Sequence, residues 1–317
     1  MDHSHKSNFT MQQVMASLSA VAYMPFHSIH TLQENLNDAG SLEAAYTAVW
    51  WGKNGSLVVY VVKNKYTNDY AVIFKGKAYR TTLAFLIKLY EDLDLGRQES
   101  LPYSRLDGAK VALGILDIIQ EIGTSTYGGR SLQQVLDNLP ARTKVYMTGH
   151  SLGGSLATVY AAKIACSNSA ELDIIPYTFG APAVGNDLFA NLFDPTNVNF
   201  LFTRSSRCIN TRDIVPFAFN NLQGITTVDY GKTTCSVDFK VCLECLERLL
   251  ILSRVFYVQP PPELELKGED GWTDSFFRKA LHQHQPNTYL NILGLDPIEK
   301  AEFYHAETSE FILTDSE

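Results

Sequence analysis

The chain has 317 residues, 45% hydrophobic and 19% charged, the balance of a soluble globular protein with enough apolar side chains for a sizeable core. That mix excludes disorder, collagen-like repeats and coiled coil. Twenty-six basic and 34 acidic residues leave a net charge of −8, which repels phosphate backbones and excludes nucleic acid as an expected partner.

The N-terminal stretch carries acid and histidine where a signal peptide carries basic charge, and its apolar part is broken. No segment reaches the roughly 18 uninterrupted apolar residues of a membrane span. A cytoplasmic protein without a transmembrane segment is therefore expected, with export lacking a classical signal peptide as the alternative. Met11 to Tyr23 reads as an opening helix rich in small residues. Strands are expected at 45–52, 56–64 and 69–76, separated by the turn signals KNGS and KYTND. Amphipathic helices follow near Gly108–Ile122 and Ser131–Leu139. Residues 143–165 read as a short strand, a glycine-flanked turn and an Ala-rich helix, and the apolar runs at 172–185 and 198–217 end in polar loops. Strands alternating with helices after an antiparallel-looking start predict an α/β fold, with a mixed, mostly parallel central sheet and helices on both faces. No repeat or linker divides the chain, so residues 1–317 are expected to form one domain.

The five cysteines fall at irregular spacing, unlike a disulfide framework. Cys242 and Cys245 form a C-x-x-C in an amphipathic stretch, but no second pair or neighbouring His pair completes a zinc site. Packing is their expected role. No metal and no organic cofactor is implied.

Gly149-His150-Ser151-Leu152-Gly153 is a G-x-S-x-G between an expected strand and an expected helix. A serine on so tight a turn takes strained dihedrals, and side chains at the flanking positions would collide. Its hydroxyl is then presented at the strand's carboxyl end, beside the positive end of the helix. The bare motif is only suggestive; its placement between strand and helix sharpens it.

With three further blocks, VIFKG at 72–76, YTFGAPAVGN at 177–186 and INTRDIVPF at 209–217, the segment VYMTGHSLGGSLA at 145–157 resembles the class 3 lipases of the α/β-hydrolase superfamily. The resemblance implies that fold and a serine nucleophile, Ser151. Such a hydroxyl needs a histidine to take its proton, and that histidine needs a carboxylate to orient it. In this superfamily the chain order is Ser, acid, His. Asp213 matches the family's acid by motif; Asp187, Asp194 and Asp229 are competitors without such a motif. For the base, His284 has a tyrosine, Tyr289, five positions on and Pro286 suited to a following helix's first turn. His282 and His305 are the alternatives. His150 is expected to point away from the nucleophile and pack, and His27 and His30 to lie in loops.

The resemblance also implies two backbone N–H donors for the tetrahedral oxyanion, from Leu152 and Lys77. Here the chain departs from the family, which usually has Arg before the glycine at 76 and Ser or Thr after it. This chain has Lys75 and Lys77. The family's H-x-G-F block is also altered, to LDGA at 106–109.

The apolar segment 78–95 is expected to be a lid over the site, or else a helix packed permanently on the body. Segment 232–272 reads as a cap or insert, with core packing as its plainest role and a membrane-facing element as the alternative. The expected function is a serine carboxylic ester hydrolase, a lipase cleaving acyl esters of neutral lipids such as triacylglycerol. Its partners would be a lipid or ester substrate and a transient lipid–water interface. Phospholipase A1 or galactolipase activity, and short-chain or feruloyl esterase activity, are alternatives. A lipase-like binding or signalling scaffold is the reading from another class, suggested by the two lysines.

Overall fold

The computed structural model describes residues 8–301 except 55–56, 78–85, 87, 92, 103–106, 125, 168–170, 232, 262, 269–274 and 300. β-branched and aromatic runs dominate the central strands, as a sheet buried on both faces requires. They are β1 (Tyr46–Asn54), β2 (Leu57–Asn64), β3 (Tyr70–Phe74), β4 (Lys144–His150), β5 (Asp173–Phe179), β6 (Ser206–Asn210) and β7 (Glu263–Leu266). Among the described residues these seven form one sheet in chain order. β1, β2 and β3 pair antiparallel, and every pairing from β3 onward is parallel. The expected mixed, mostly parallel sheet is what the chain forms.

Alternate residues of each strand go to opposite faces. Val59, Val61, Val72, Phe74, Val145 and Met147 enter one apolar cluster, with helices α3 (Leu113–Thr124), α4 (Leu132–Asp137) and α5 (Leu152–Ser167). Tyr60, Val62, Ala71, Ile73 and Tyr146 enter the other, with α1 (Met11–Val21) and α2 (Ile29–Asp38). Helices thus cover both faces, and each fully buried aliphatic side chain contributes about 1.5–3 kcal/mol relative to exposure.

Local signals set the helix ends. Thr10 and Gln13 form a capping box at the start of α1, and Ser28 and Thr31 do the same for α2. α2 corrects one expectation: His30 lies in this helix and pairs with Glu34 at 3.5 Å instead of sitting in a loop. The helix expected from Gly108 begins only at Leu113. Residues 110–112 are instead extended, paired antiparallel with Gln98–Ser100 and tied by Ala112 N–H to Val184 O at 2.9 Å. Among the described residues no helix is long and apolar enough to cross a membrane.

Of the segment 78–95 expected as a lid, residues 78–85, 87 and 92 lie outside the described ones. Leu86, Leu89, Leu93 and Leu95 are buried in the cluster that holds Phe74 and Leu152. Helix α6 (Val237–Leu252) buries Phe239, Leu243, Leu246 and Leu250 and leaves Val237, Val241, Leu249, Ile251 and Leu252 exposed. Core packing therefore accounts for one of its faces only. Cys245 is exposed and Cys242 half-buried, so the expected packing role fits Cys242 in part and Cys245 not at all.

Candidate active site

The parallel strands end together, and the residues singled out in the sequence follow those ends. β4 stops at His150 and α5 starts at Leu152, leaving Ser151 alone in the turn with φ at 59°. This left-handed conformation is unfavourable for a side chain bearing Cβ. The glycines make it possible. A Cβ on Gly149 would come within 2.7 Å of Phe74 O, and one on Gly153 would overlap Phe74 O outright. Ser151 N–H donates to Phe179 O at 2.9 Å, fastening the turn to β5. Leu152 heads α5, where N–H groups have no helical carbonyl to bind.

Asp213 follows β6 in a turn closed by its N–H to Asn210 O at 2.9 Å. The carboxylate is wholly buried and met by donors at both oxygens. Its Oδ1 accepts from Val215 N–H at 2.9 Å, and its Oδ2 accepts from the Tyr289 hydroxyl at 2.7 Å. His284 Nδ1 lies 2.7 Å from the same Oδ2, and His284 Nε2 lies 2.9 Å from Ser151 Oγ. With Asp213 ionised, Nδ1 carries the proton and Nε2 is left to accept from the serine.

His284 is held by the junction of two helices. It caps the C-terminus of α7 (Phe276–Gln283), and Pro286 opens α8 (Pro286–Ile292) with Gln285 as N-cap. Asn210 Nδ2 donates to Gln283 O at 2.9 Å and Gln283 Oε1 at 2.7 Å, tying the end of α7 to the strand before Asp213. Gly180 (φ 58°) gives the carboxylate room, since a Cβ there would stand 2.9 Å from Asp213 Oδ2.

Ser151, Asp213 and His284 are therefore brought together. The competitors are not. Asp194 accepts from Thr196, Asp229 from Gly231 N–H, and Asp187 sits in the first turn of a short helix. His282 lies in the last turn of α7, with its carbonyl accepting from Thr288 Oγ1 at 2.5 Å. His305 lies outside the described residues. The other expected oxyanion donor, Lys77, follows Gly76, where an added Cβ would come within 3.2 Å of Ser151 Cβ. Of the altered block at 106–109, Leu106 is outside the described residues, while Gly108 takes φ of 77° against Leu188.

Two features differ from the sequence reading. His150 is buried and packs as expected, but it packs against His284, its ring 4.6 Å from that one. Positions 146, 148 and 150 share the sheet face covered by α1, and α8 packs over that same face, carrying the neighbouring His284 with it. Tyr289, marked in the sequence only by its spacing from His284, binds Asp213 directly. Burial and then the Asp213 carboxylate push its phenol far above the ordinary range, so it stays a donor. Asn210 and Gln283 carry no sequence signal of their own. Among the described residues no group of three or more His, Cys, Asp or Glu could hold a metal ion.

The signature of the family described as "Lipase (class 3)" matches residues 57–222, just over half of the chain. A lipase of Rhizopus niveus is 26% identical over 180 residues, which are 56% of this chain and 40% of that protein. A secreted mono- and diacylglycerol lipase of Fusarium solani is 37% identical over 84 residues, 26% of this chain and 23% of its own length. The chain thus spans less than half the length of these curated relatives. Among solved structures, the crystal structure of M37 lipase superposes with a TM-score of 0.78 at 18% identity, covering 92% of this chain and 96% of that one, which shows a shared fold. From the strand that precedes the 72–76 block to the helix beyond Asp213, the match takes in every block quoted above, and the chain belongs to the class 3 lipase family.

Proposed function

We propose that the chain is a serine carboxylic ester hydrolase acting on acyl esters of neutral lipids. One observation carries the reading. Ser151 Oγ, His284 and Asp213 form an unbroken hydrogen-bonded line of 2.9 and 2.7 Å in a buried site, with the serine on a strained turn. In the proposed reaction Ser151 Oγ attacks the ester carbonyl carbon and its proton passes to His284 Nε2. The tetrahedral oxyanion is met by the N–H groups of Leu152 and Lys77. As the intermediate collapses, His284 protonates the leaving alcohol and an acyl-serine remains. Water, deprotonated by His284, then releases the carboxylic acid and restores Ser151. Asp213 holds the imidazole's tautomer and balances the imidazolium in both halves.

Neutral acyl glycerides fit best. The net charge of −8 disfavours anionic surfaces, and the Fusarium relative is named for mono- and diacylglycerols. That relative is also named as secreted, which supports the exported alternative over the cytoplasmic location expected from sequence. Ser151 has no exposed surface, so substrate entry requires part of the covering structure to move. The scaffold alternative has little to rest on, because the hydrogen-bonded line serves no purpose in a binding module.

Hydrolysis of p-nitrophenyl esters from acetate to palmitate, beside Ser151→Ala, tests this. Activity that vanishes in the variant and peaks at octanoate or longer is expected. A peak at acetate or butyrate would replace lipase with short-chain esterase, and no activity at any length would favour the scaffold.

A further inference from the structure

The site contains a second histidine that the proposed acyl transfer does not use. His150 is buried, and its ring is inclined 37° to that of His284 with centroids 4.6 Å apart. The edge of Tyr289 meets it from another side at 5.5 Å. Tyr23, just past α1, brings its hydroxyl within 3.2 Å of both His150 Nδ1 and His150 O. The same hydroxyl reaches the oxyanion loop: a Cβ on Gly76 would overlap it and would come within 2.6 Å of His150 O. One chain of contacts therefore runs from the loop bearing Lys77, through Tyr23 and His150, to the base.

The base needs such support. Its hydrogen bonds to Asp213 and Ser151 lie in the ring plane and fix its two nitrogens. They leave the tilt of the ring to whatever packs against its face. A tilt would turn the Nε2 lone pair, which lies in the ring plane, off the line to Ser151 Oγ, and small misorientations of reacting groups cost large factors in rate.

We infer that His150 and Tyr23 are positioning residues for the reaction, His150 backing the face of His284 and Tyr23 holding that ring in register with the oxyanion loop. The inference rests on the proposed Ser151–His284–Asp213 assignment. The protonation state agrees with it. Burial, and secondarily the neighbouring charge of His284, push His150 well below the usual histidine range. When His284 takes up the serine proton, its neighbour is neutral and does not oppose it. The other groups facing the pair are the Asp213 carboxylate and the hydroxyls of Tyr289 and Tyr23; the Lys75 ammonium lies one shell out, over Tyr23 at 5.8 Å from its ring centroid.

The test compares His150→Ala, His150→Phe and Tyr23→Phe with the unaltered protein and with Ser151→Ala. It reads kcat, KM, the acid limb of the kcat profile and the melting temperature on one p-nitrophenyl ester. His150→Ala is expected to lower kcat by about 10–100-fold while KM stays within about threefold. Its acid limb moves to higher pH, because water reaching the freed face stabilises the imidazolium. His150→Phe restores the ring face and recovers about tenfold of the lost kcat. Tyr23→Phe, which removes one hydroxyl, lowers kcat by about 3–10-fold. A His150→Ala kcat within about twofold of the original with an unmoved acid limb, or a Phe variant no better than Ala, overturns the inference. If His150→Ala does not fold, Tyr23→Phe decides, and an unchanged kcat overturns it. Activity surviving in Ser151→Ala would instead sink the underlying assignment, a result that the His150 variants cannot mimic.

Discussion

The Tyr289 hydroxyl donates to Asp213 Oδ2 at 2.7 Å, the same oxygen that faces His284 Nδ1. Tyr289 Oη also accepts from Asn210 N–H at 3.1 Å, so one phenol fastens α8, β6 and Asp213 together. Tyr289→Phe keeps the ring and removes both bonds. It is expected to cost about 1–3 kcal/mol of stability by leaving a buried N–H and a carboxylate lone pair unmatched. Urea denaturation measures this. A loss below the lower bound would mean that water or another group replaces the phenol.

Ser151 holds φ of 59°, which a residue without Cβ adopts freely. Ser151→Gly should therefore abolish hydrolysis and yet raise the melting temperature, with about 1 kcal/mol of relieved strain offset in part by the lost bond to His284. Ser151→Ala, which keeps the strain, should show no such gain. Calorimetry on the two variants reads the difference.

Gly153 faces Phe74 O too closely to bear a side chain. Gly153→Ala must push α5 off the end of β3, at about 3 kcal/mol or more. Loss of soluble folded protein, or a melting temperature lowered by many degrees, is the expected result.

The depressed proton affinity of His150 makes stability depend on pH with a definite sign. Below about pH 6.5, the ordinary histidine value, an unfolded chain takes up a proton that the buried ring refuses. The contribution of His150 is thus fully present above that pH and is lost progressively as pH falls below it. Denaturation midpoints should decline on acidification, and His150→Phe should decline less steeply. Parallel slopes in the two proteins would show that His150 does not carry the effect.

The sequence points to most of the sheet and to the three side chains of the proposed triad for one physical reason. Ser151, Asp213 and His284 stand in turns whose neighbours are constrained, by glycines around Ser151, by an apolar run before Asp213 and by Pro286 after His284. Such constraints are local and survive in a linear reading. Contacts made across the fold are not local. Asn210 reaches Gln283 across 73 positions and Tyr23 reaches His150 across 127, with no spacing rule to announce either pair. His150 differs from the expectation because a side chain on the sheet face away from Ser151 Oγ still meets His284 when α8 folds over that face. Cys245 departs from the expected packing because α6 keeps apolar residues on its outer face, so hydrophobic character there does not imply burial.

Labelling with a fluorophosphonate, read by intact mass and peptide mapping, tests the central claim most directly. The account predicts a single adduct on Ser151, absent in Ser151→Ala and slowed by about 10³-fold or more in His284→Ala. An unaltered protein that hydrolyses lipid esters but is not labelled at Ser151, or is labelled equally fast without His284, would contradict it.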